Sequence, residues 1–294
     1  MNVAVLGAGT MGSGIAQVSA MAGHEVTIRD VRDQYVENGI AAISETLDKG
    51  VEREKITASE REAALERLSG TTDLENITRA ALVIEAVPEE MALKKETVAA
   101  AERVTDGAVI ASNTSSLSLT EIASALDDPS KGLGLHFFNP VHLMNLVEVV
   151  VAERTSESTE TFAAEFIEGI GKETVVINDT PGFATSRLGV AIGVEAIRMV
   201  EQGVASPRAI DRAMELGYNH PMGPLELTDL VGLDVRLDIL EALREELGER
   251  FRPPQLLKKK VRAGKLGKKT GEGFYYWEDG EHTGVSDGTA DKQI

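Results

Sequence analysis

Apolar positions in the first part of the chain fall into short runs, and between them apolar residues recur at helical spacing. The runs at 2–6, 25–30, 81–87, 108–112, 132–138, 146–151 and 174–177 predict strands. The stretches at 11–21, 32–49, 59–68 and 91–104, and one starting at Leu119, predict helices. Strands alternating with helices of this length predict βαβ units and a mostly parallel sheet. The rhythm stops at Asp179-Thr-Pro-Gly182, where Pro-Gly signals a turn. Beyond it the pattern is helical over 183–202, 207–216, 225–247 and 254–263, with Ser206 as an N-cap and Pro207 at the first helical position. No strand is expected there until 273–277. The pattern therefore predicts an α/β domain over 1–180 followed by an all-helical domain over 181–294. Only the polar tail 278–294 reads as disordered, and the lysines at 258–260 read as a solvated helix face.

Composition narrows the possibilities. The chain has 294 residues, enough for two domains, and no cysteine, which excludes disulfides, thiolate catalysis and cysteine-based zinc sites. No apolar stretch reaches the roughly 18 residues of a membrane span. The apolar start leads into a glycine motif rather than a cleavage site, so a cytoplasmic, soluble protein is expected. A net charge of −18 repels nucleic acid and anionic lipid, so neither is an expected partner. The same charge fits either ordinary solubility or a salt-rich cytosol that screens self-repulsion. Stability measured against KCl concentration separates these. No two histidines stand at i, i+4, and no metal site is expected.

Gly7-Ala-Gly-Thr-Met-Gly12 matches the G-x-G-x-x-G pattern. Its context makes the match specific: a strand precedes it, a helix follows, and Asp30 ends the second strand. The glycines allow a tight turn and close approach of a diphosphate to a helix N-terminus, where free N–H groups favour anions. A carboxylate at Asp30 suits ribose hydroxyls and repels a 2′-phosphate, so a Rossmann-type site for NAD rather than NADP is expected. Arg29 and Arg32 flank Asp30 and pull the other way. Glu89 and Glu90 follow a strand end, where a parallel sheet binds ligands, and a cofactor role is expected there.

Gly134-Leu-His-Phe-Phe-Asn-Pro140 places His136 in one apolar run, and Glu148 sits in the next. A buried ionisable pair is costly. It is either a satisfied core pair or a general base with its orienting carboxylate. The nucleotide motif, Ser115 and Asn139-Pro140 favour the base. Histidine suits proton transfer near neutrality, and a carboxylate on the far ring nitrogen fixes the tautomer. The other histidines read as bland: His24 at a helix end, His142 at a rim, His220 in a loop, His282 in the tail.

These motifs, with Ser112-Asn-Thr-Ser-Ser116, Pro181-Gly-Phe183, Pro221-Met-Gly-Pro-Leu-Glu-Leu227 and Lys269-Thr-Gly-Glu-Gly-Phe-Tyr275, occur in an order that resembles the L-3-hydroxyacyl-CoA dehydrogenases from Val3 to Tyr275. The single-function 3-hydroxybutyryl-CoA dehydrogenases are the most similar kind. The resemblance implies NAD-dependent, reversible oxidation of a short-chain (S)-3-hydroxyacyl-CoA in fatty acid β-oxidation. It implies His136 as base, Glu148 as its partner, and Ser115 beside substrate and nicotinamide. It implies cofactor contacts at Gly7, Gly9, Thr10, Met11, Gly12, Asp30, Glu89, Lys94, Asn113, Asn139 and Lys269. It implies CoA contacts near Thr46 and Arg53, and a homodimer through the helical half, with the active site in the cleft between domains. One position departs. The family pattern Pro-Gly-Phe-x-x-Asn-Arg has Ser186 in the asparagine's place, so the substrate meets a shorter side chain without an amide fork. Two other readings remain: a related dehydrogenase of a free hydroxy acid or carnitine-like substrate, and a non-catalytic dinucleotide-binding protein. The mixed charges of 41–55 bear on the first. Retention of His136, Glu148 and Ser115 together argues against the second.

Overall fold

The computed structural model describes residues 1–286. The chain forms two compact units, Met1–Thr180 and a second beginning at Pro181.

The first unit runs β1 (Asn2–Leu6), α1 (Thr10–Met21), β2 (Glu25–Arg29), α2 (Asp33–Glu52), α3 (Ala58–Glu66), β3 (Leu68–Thr71), β4 (Leu82–Glu85), α4 (Met91–Val104), β5 (Val109–Ser112), α5 (Leu119–Ala123), β6 (Gly132–Phe137), β7 (Leu146–Val151), α6 (Glu157–Gly169) and β8 (Glu173–Asn178). Its sheet has the order β3-β2-β1-β4-β5-β6-β7-β8. Every neighbouring pair is parallel except β6 and β7, which run antiparallel. Val3, Val5, Ile28, Leu82, Ile84, Leu135 and Val147 put one face of the sheet into the core with α1, α2 and α6. Ala4, Leu6, Val83 and Ile110, on the other face, are buried too. Burial on both faces is why these strands read as near-continuous apolar runs rather than alternating ones.

Two elements departed from the pattern. Leu68-Ser-Gly-Thr71 is a short edge strand where a helix end was expected, because two small polar residues carry little apolar signal. Helix α6, capped by Ser156, was not anticipated between the last two strands.

The second unit contains α7 (Thr185–Glu201), α8 (Pro207–Tyr218), α9 (Pro224–Val231), α10 (Leu233–Leu247) and α11 (Gln255–Arg262). Val190, Val194, Ile197, Leu225, Leu240, Leu257 and Phe274 share one core. The Ser206 cap forms as expected, accepting from the Ala209 N–H at 3.3 Å. The stripe over 225–247 is two helices, because Gly232 adopts φ 104° and breaks the first. A hairpin follows, β9 (Tyr275–Glu278) paired with β10 (Glu281–Val285). The start of the supposedly disordered tail is thus ordered: the His282 ring packs 4.8 Å from Tyr275 and 5.8 Å from Trp277. The rest of the tail lies outside the described residues. Lys260 is no solvated lysine either; it is buried, donating to the Gly273 carbonyl at 2.8 Å over the Phe274 ring. No helix among the described residues is long and apolar enough to cross a membrane.

Candidate active site

The sheet order reverses direction between β1 and β4, and a crevice opens outside the carboxyl ends of the strands at such a point. Gly7 leaves β1 with φ 105°, and a Cβ there would lie 2.6 Å from the Ala86 carbonyl oxygen. A Cβ on Gly12 would lie 1.8 Å from the Gly7 oxygen, so no larger residue fits while helix and turn stay this close. Gly9, by contrast, faces open space and is the N-cap of α1, which no side chain caps. The first-turn N–H groups therefore remain available for an anion.

A cavity of about 960 Å³ lies here, lined by Gly7–Met11 backbone, Asp30, Tyr35 and Val87-Pro88 among others. Asp30 is fixed by two backbone donors, Ala8 N–H to Oδ2 at 2.7 Å and Val31 N–H to Oδ1 at 2.6 Å. Each oxygen keeps acceptor capacity for a ribose hydroxyl. The flanking arginines are engaged elsewhere: Arg29 Nε donates to the Thr72 carbonyl at 3.2 Å, and Arg32 lies over Tyr35. Open Gly9, an uncapped helix start and an aimed carboxylate together fit a dinucleotide with a free ribose.

Beneath this crevice lies a polar network that the sequence reading missed in part. Glu85 ends β4 fully buried, accepting from Val87 N–H, Lys94 Nζ and Ser112 Oγ. Lys94 is 1% exposed and also donates to the Val87 carbonyl and pairs with Glu89 at 3.2 Å. Glu89 Oε1 grips the turn after β5 through Thr114 Oγ1, Ser115 N–H and Ser116 N–H. Burial pushes the Glu89 carboxyl up, but Lys94 and the Thr114 and Ser115 donors outweigh it, so its pKa ends below the ordinary value. Lys94 and Glu89 thus hold the Ser115 turn. Asn113 Oδ1 accepts from the Phe137 N–H at 2.9 Å, tying the end of β5 to β6. The signal for Glu85 was an acid closing an otherwise apolar strand.

His136 and Glu148 face each other directly in the antiparallel β6–β7 register. Directly opposed residues share a sheet face, here the one opposite Leu135, Phe137, Val147 and Val149 of the main core. His136 Nδ1 lies 2.7 Å from Glu148 Oε2; the histidine is 6% exposed and the glutamate 0%. A carboxylate can only accept, so Nδ1 carries the hydrogen, and in the neutral imidazole the lone pair is then on Nε2. The Phe138 ring packs 4.4 Å from the imidazole. The turn leaving β6 has a cis Asn139–Pro140 peptide, and Asn139 is exposed. Lys172 clamps that turn, its ammonium donating to the Val141 and Met144 carbonyls, both at 2.6 Å. Burial lowers its pKa.

A second cavity in this unit, about 780 Å³, brings together Thr46 and Arg53 with Lys49, Lys55, His142 and Lys172. Leu47, Ile56, Leu143 and Ile170 supply apolar wall, and no Asp or Glu lines it. Lys49 is paired with Glu45 at 2.6 Å, but in a chain of net charge −18 the gathering of Arg53, Lys55 and Lys172 still favours an anionic ligand with apolar parts. Burial and the nearby Lys172 both lower the His142 pKa.

In the second unit, Ser186 is half-buried in the first turn of α7. Lys269 is exposed and forms an ion pair with Asp234, 2.6 Å from Oδ1.

Residues 2–180 match the family described as 3-hydroxyacyl-CoA dehydrogenase, NAD binding domain, and residues 182–277 match its C-terminal domain. A protein of Bacillus subtilis named probable 3-hydroxybutyryl-CoA dehydrogenase is 45% identical over 279 residues, covering 94% of this chain and 97% of the relative. The 3-hydroxybutyryl-CoA dehydrogenase of Mycobacterium tuberculosis is 46% identical over 277 residues, covering 93% and 97%. The crystal structure of (S)-3-hydroxybutyryl-CoA dehydrogenase from Ralstonia eutropha superposes with a TM-score of 0.91 at 38% identity, over 94% of this chain and 99% of that one. With the glycine turn and Asp30 already fitting a dinucleotide, the chain belongs to the 3-hydroxyacyl-CoA dehydrogenase family and is an NAD-dependent oxidoreductase.

Proposed function

We propose that this chain oxidises a short-chain (S)-3-hydroxyacyl-CoA, such as 3-hydroxybutyryl-CoA, to the 3-ketoacyl-CoA, reversibly, with His136 as general base and Glu148 as its orienting partner. The carrying observation is the 2.7 Å contact between His136 Nδ1 and Glu148 Oε2 on a register pair buried within a sheet. Bound NAD supplies the hydride acceptor. The chain's residues do the rest. Nε2 takes the proton from the substrate hydroxyl as the carbonyl forms, and Glu148 stabilises the imidazolium. In the reductive direction the same nitrogen returns the proton to oxygen. Ser115, held by Glu89, and Ser186 orient the substrate oxygens. First-turn groups at Gly9, Thr10, Met11 and Gly12 take the diphosphate, and Asp30 the ribose hydroxyls. Glu89, Lys94 and Asn113 support the cofactor side, with Asn139 and Lys269 as further contacts.

The CoA ester is favoured over a free hydroxy acid by the basic cavity that gathers Thr46 and Arg53, suited to the phosphates and adenosine of a CoA handle. A homodimer through the second unit is supported by the exposed apolar side chains Leu188 and Ile192 of α7 and Leu227, Leu230 and Val231 of α9. We also propose the two units as the two functional domains, 1–180 and 181–294, working in the cytoplasm.

The test is NADH oxidation with acetoacetyl-CoA against free acetoacetate, on wild type and His136→Gln. Turnover of the CoA ester by wild type alone is expected. No turnover of the ester removes the substrate reading, and an equally active variant removes the base.

A further inference from the structure

Resting on that reading, we infer that Lys172 is a positioning residue through which an anionic handle held in the basic cavity of the first unit acts on His136, so that the handle raises turnover and not only affinity. Residues 139–145, which leave β6 after His136 and Phe138, are all exposed except Val141. This turn is anchored from beneath. Val141 packs against α1, where a Cβ on Gly14 would lie 2.8 Å from its side chain. The Lys172 ammonium donates to the Val141 and Met144 carbonyls, both at 2.6 Å. The next residue, Glu173, donates its N–H to the Asn145 carbonyl at 2.8 Å. The turn is continuous with Phe138, whose ring packs 4.4 Å from the imidazole, so a shift of the turn is felt at the base. A misplacement of about 1 Å at such a group can cost about 10² in rate.

The charge on Lys172 points to what completes the clamp. The residue is 8% exposed, and the two carbonyls it serves are neutral. Burial lowers its pKa with no carboxylate to offset it, and no Asp or Glu lines the cavity. A buried cation without a counter-charge is costly. An ammonium has three hydrogens, and the carbonyls take two. The same ammonium lines the 780 Å³ cavity together with Arg53 and Lys55, which are exposed. His142, Leu143 and Asn145 of the turn line it as well, and Lys172 lowers the His142 pKa across that wall. An anion in the cavity supplies the missing counter-charge and fixes the ammonium on its two carbonyls. Binding energy from a remote part of the substrate then appears in kcat rather than in KM alone. Every group involved belongs to the first unit.

The experiment compares NADH oxidation with acetoacetyl-CoA and with acetoacetyl-pantetheine, which keeps the thioester but lacks the phosphates and adenosine, in wild type, Lys172→Met and Lys172→Arg. At saturating ester, wild-type kcat is expected to be about 10–100-fold higher with the CoA ester. That ratio is expected to collapse toward one in Lys172→Met and to recover in part in Lys172→Arg, which keeps a charge and can still donate to two carbonyls. Equal wild-type kcat on the two esters, with a difference in KM alone, makes the handle a source of affinity only. That overturns the inference and leaves the proposed function standing. A ratio that survives in Lys172→Met, including an equal loss on both esters, assigns the lysine to the fold and overturns the inference too. No turnover of acetoacetyl-CoA by wild type removes both. A second arm needs no variant to fold: adenosine 3′,5′-bisphosphate, added to wild type turning over the pantetheine ester, is expected to raise kcat severalfold. Inhibition or no change overturns the inference.

Discussion

Glu148 in the first unit and Asp229 in the second are both fully buried carboxylates, and they are buried for different ends. On β7, Glu148 has a histidine opposite it at 2.7 Å, the pair proposed above as a general base and its orienting partner. In the second unit, Asp229 is equally buried but is saturated by the Phe274 and Tyr275 N–H groups and the Trp277 indole, at 2.8–2.9 Å. Asp211 likewise accepts from the Leu225 and Glu226 N–H groups and the Tyr275 hydroxyl. These donors are neutral and do not titrate in the working range. The two aspartates staple α8, α9 and the final hairpin together. Burial of an acid alone therefore does not mark chemistry; the nature of the donor does. The opposite treatment shows in pKa as well: burial raises both aspartates, whereas Lys94 and hydrogen bonds bring Glu89 below its ordinary value.

Breaking the proposed base and orienter pair should have the largest effect. His136→Gln should lower kcat by about 10⁴, at the upper end for a lost general base. Glu148→Gln should cost at least about 10² and up to the same factor, because the imidazole loses its oriented tautomer. Steady-state kinetics with acetoacetyl-CoA and NADH checks both, and NADH binding should be unchanged. The mirror experiment is Asp229→Asn. It should leave kcat within about twofold but lower unfolding free energy by about 1–3 kcal/mol, since one amide hydrogen would face a buried donor. Denaturant titration beside kinetics separates these outcomes, and a large fall in kcat without loss of stability would break the comparison.

The sign of the pH dependence sharpens it. A carboxyl whose folded pKa is raised binds its proton more tightly in the fold than in the unfolded chain. The stability contributed by Asp211 and Asp229 is thus full below their ordinary pKa of 3.8 and is lost as pH rises through their higher folded values. Glu89 runs the other way: its contribution is present above its ordinary 4.5 and is lost as pH falls through its depressed value. Asp229→Asn should therefore flatten the fall in stability on going from acid toward neutral pH, and Glu89→Gln should flatten the loss on acidification. Melting temperatures across a pH series check both slopes. The smallest expected effect is on cofactor choice: Asp30→Ser should shift the NAD to NADP preference in kcat/KM by about tenfold, through lost ribose contacts rather than lost fold.

What the sequence made legible was local or short-range. The glycine turn, the aspartate ending β2 and the apolar runs carrying His136 and Glu148 all announce themselves by spacing, and the register that joins the last two follows from a single antiparallel pair. What stayed hidden was set by distant chain. Lys260 sits in a run of three lysines, and nothing nearby says that the Gly273 carbonyl will accept a hydrogen bond from it. The polar hairpin strand at Glu281–Val285 is held by Tyr275 and Trp277 rather than by its own apolar pattern. Arg236 reads as one more helix-surface arginine until α7 packs against it with a glycine.

The central claim is that Glu148 acts through His136, and a double-variant cycle tests it most directly. kcat is measured for wild type, His136→Gln, Glu148→Gln and the double variant, each checked for unchanged NADH binding. If the two residues form one unit, the double variant should be no slower than His136→Gln alone, because the orienter has nothing left to orient. A double variant slowed by the full product of the two single losses would contradict the account.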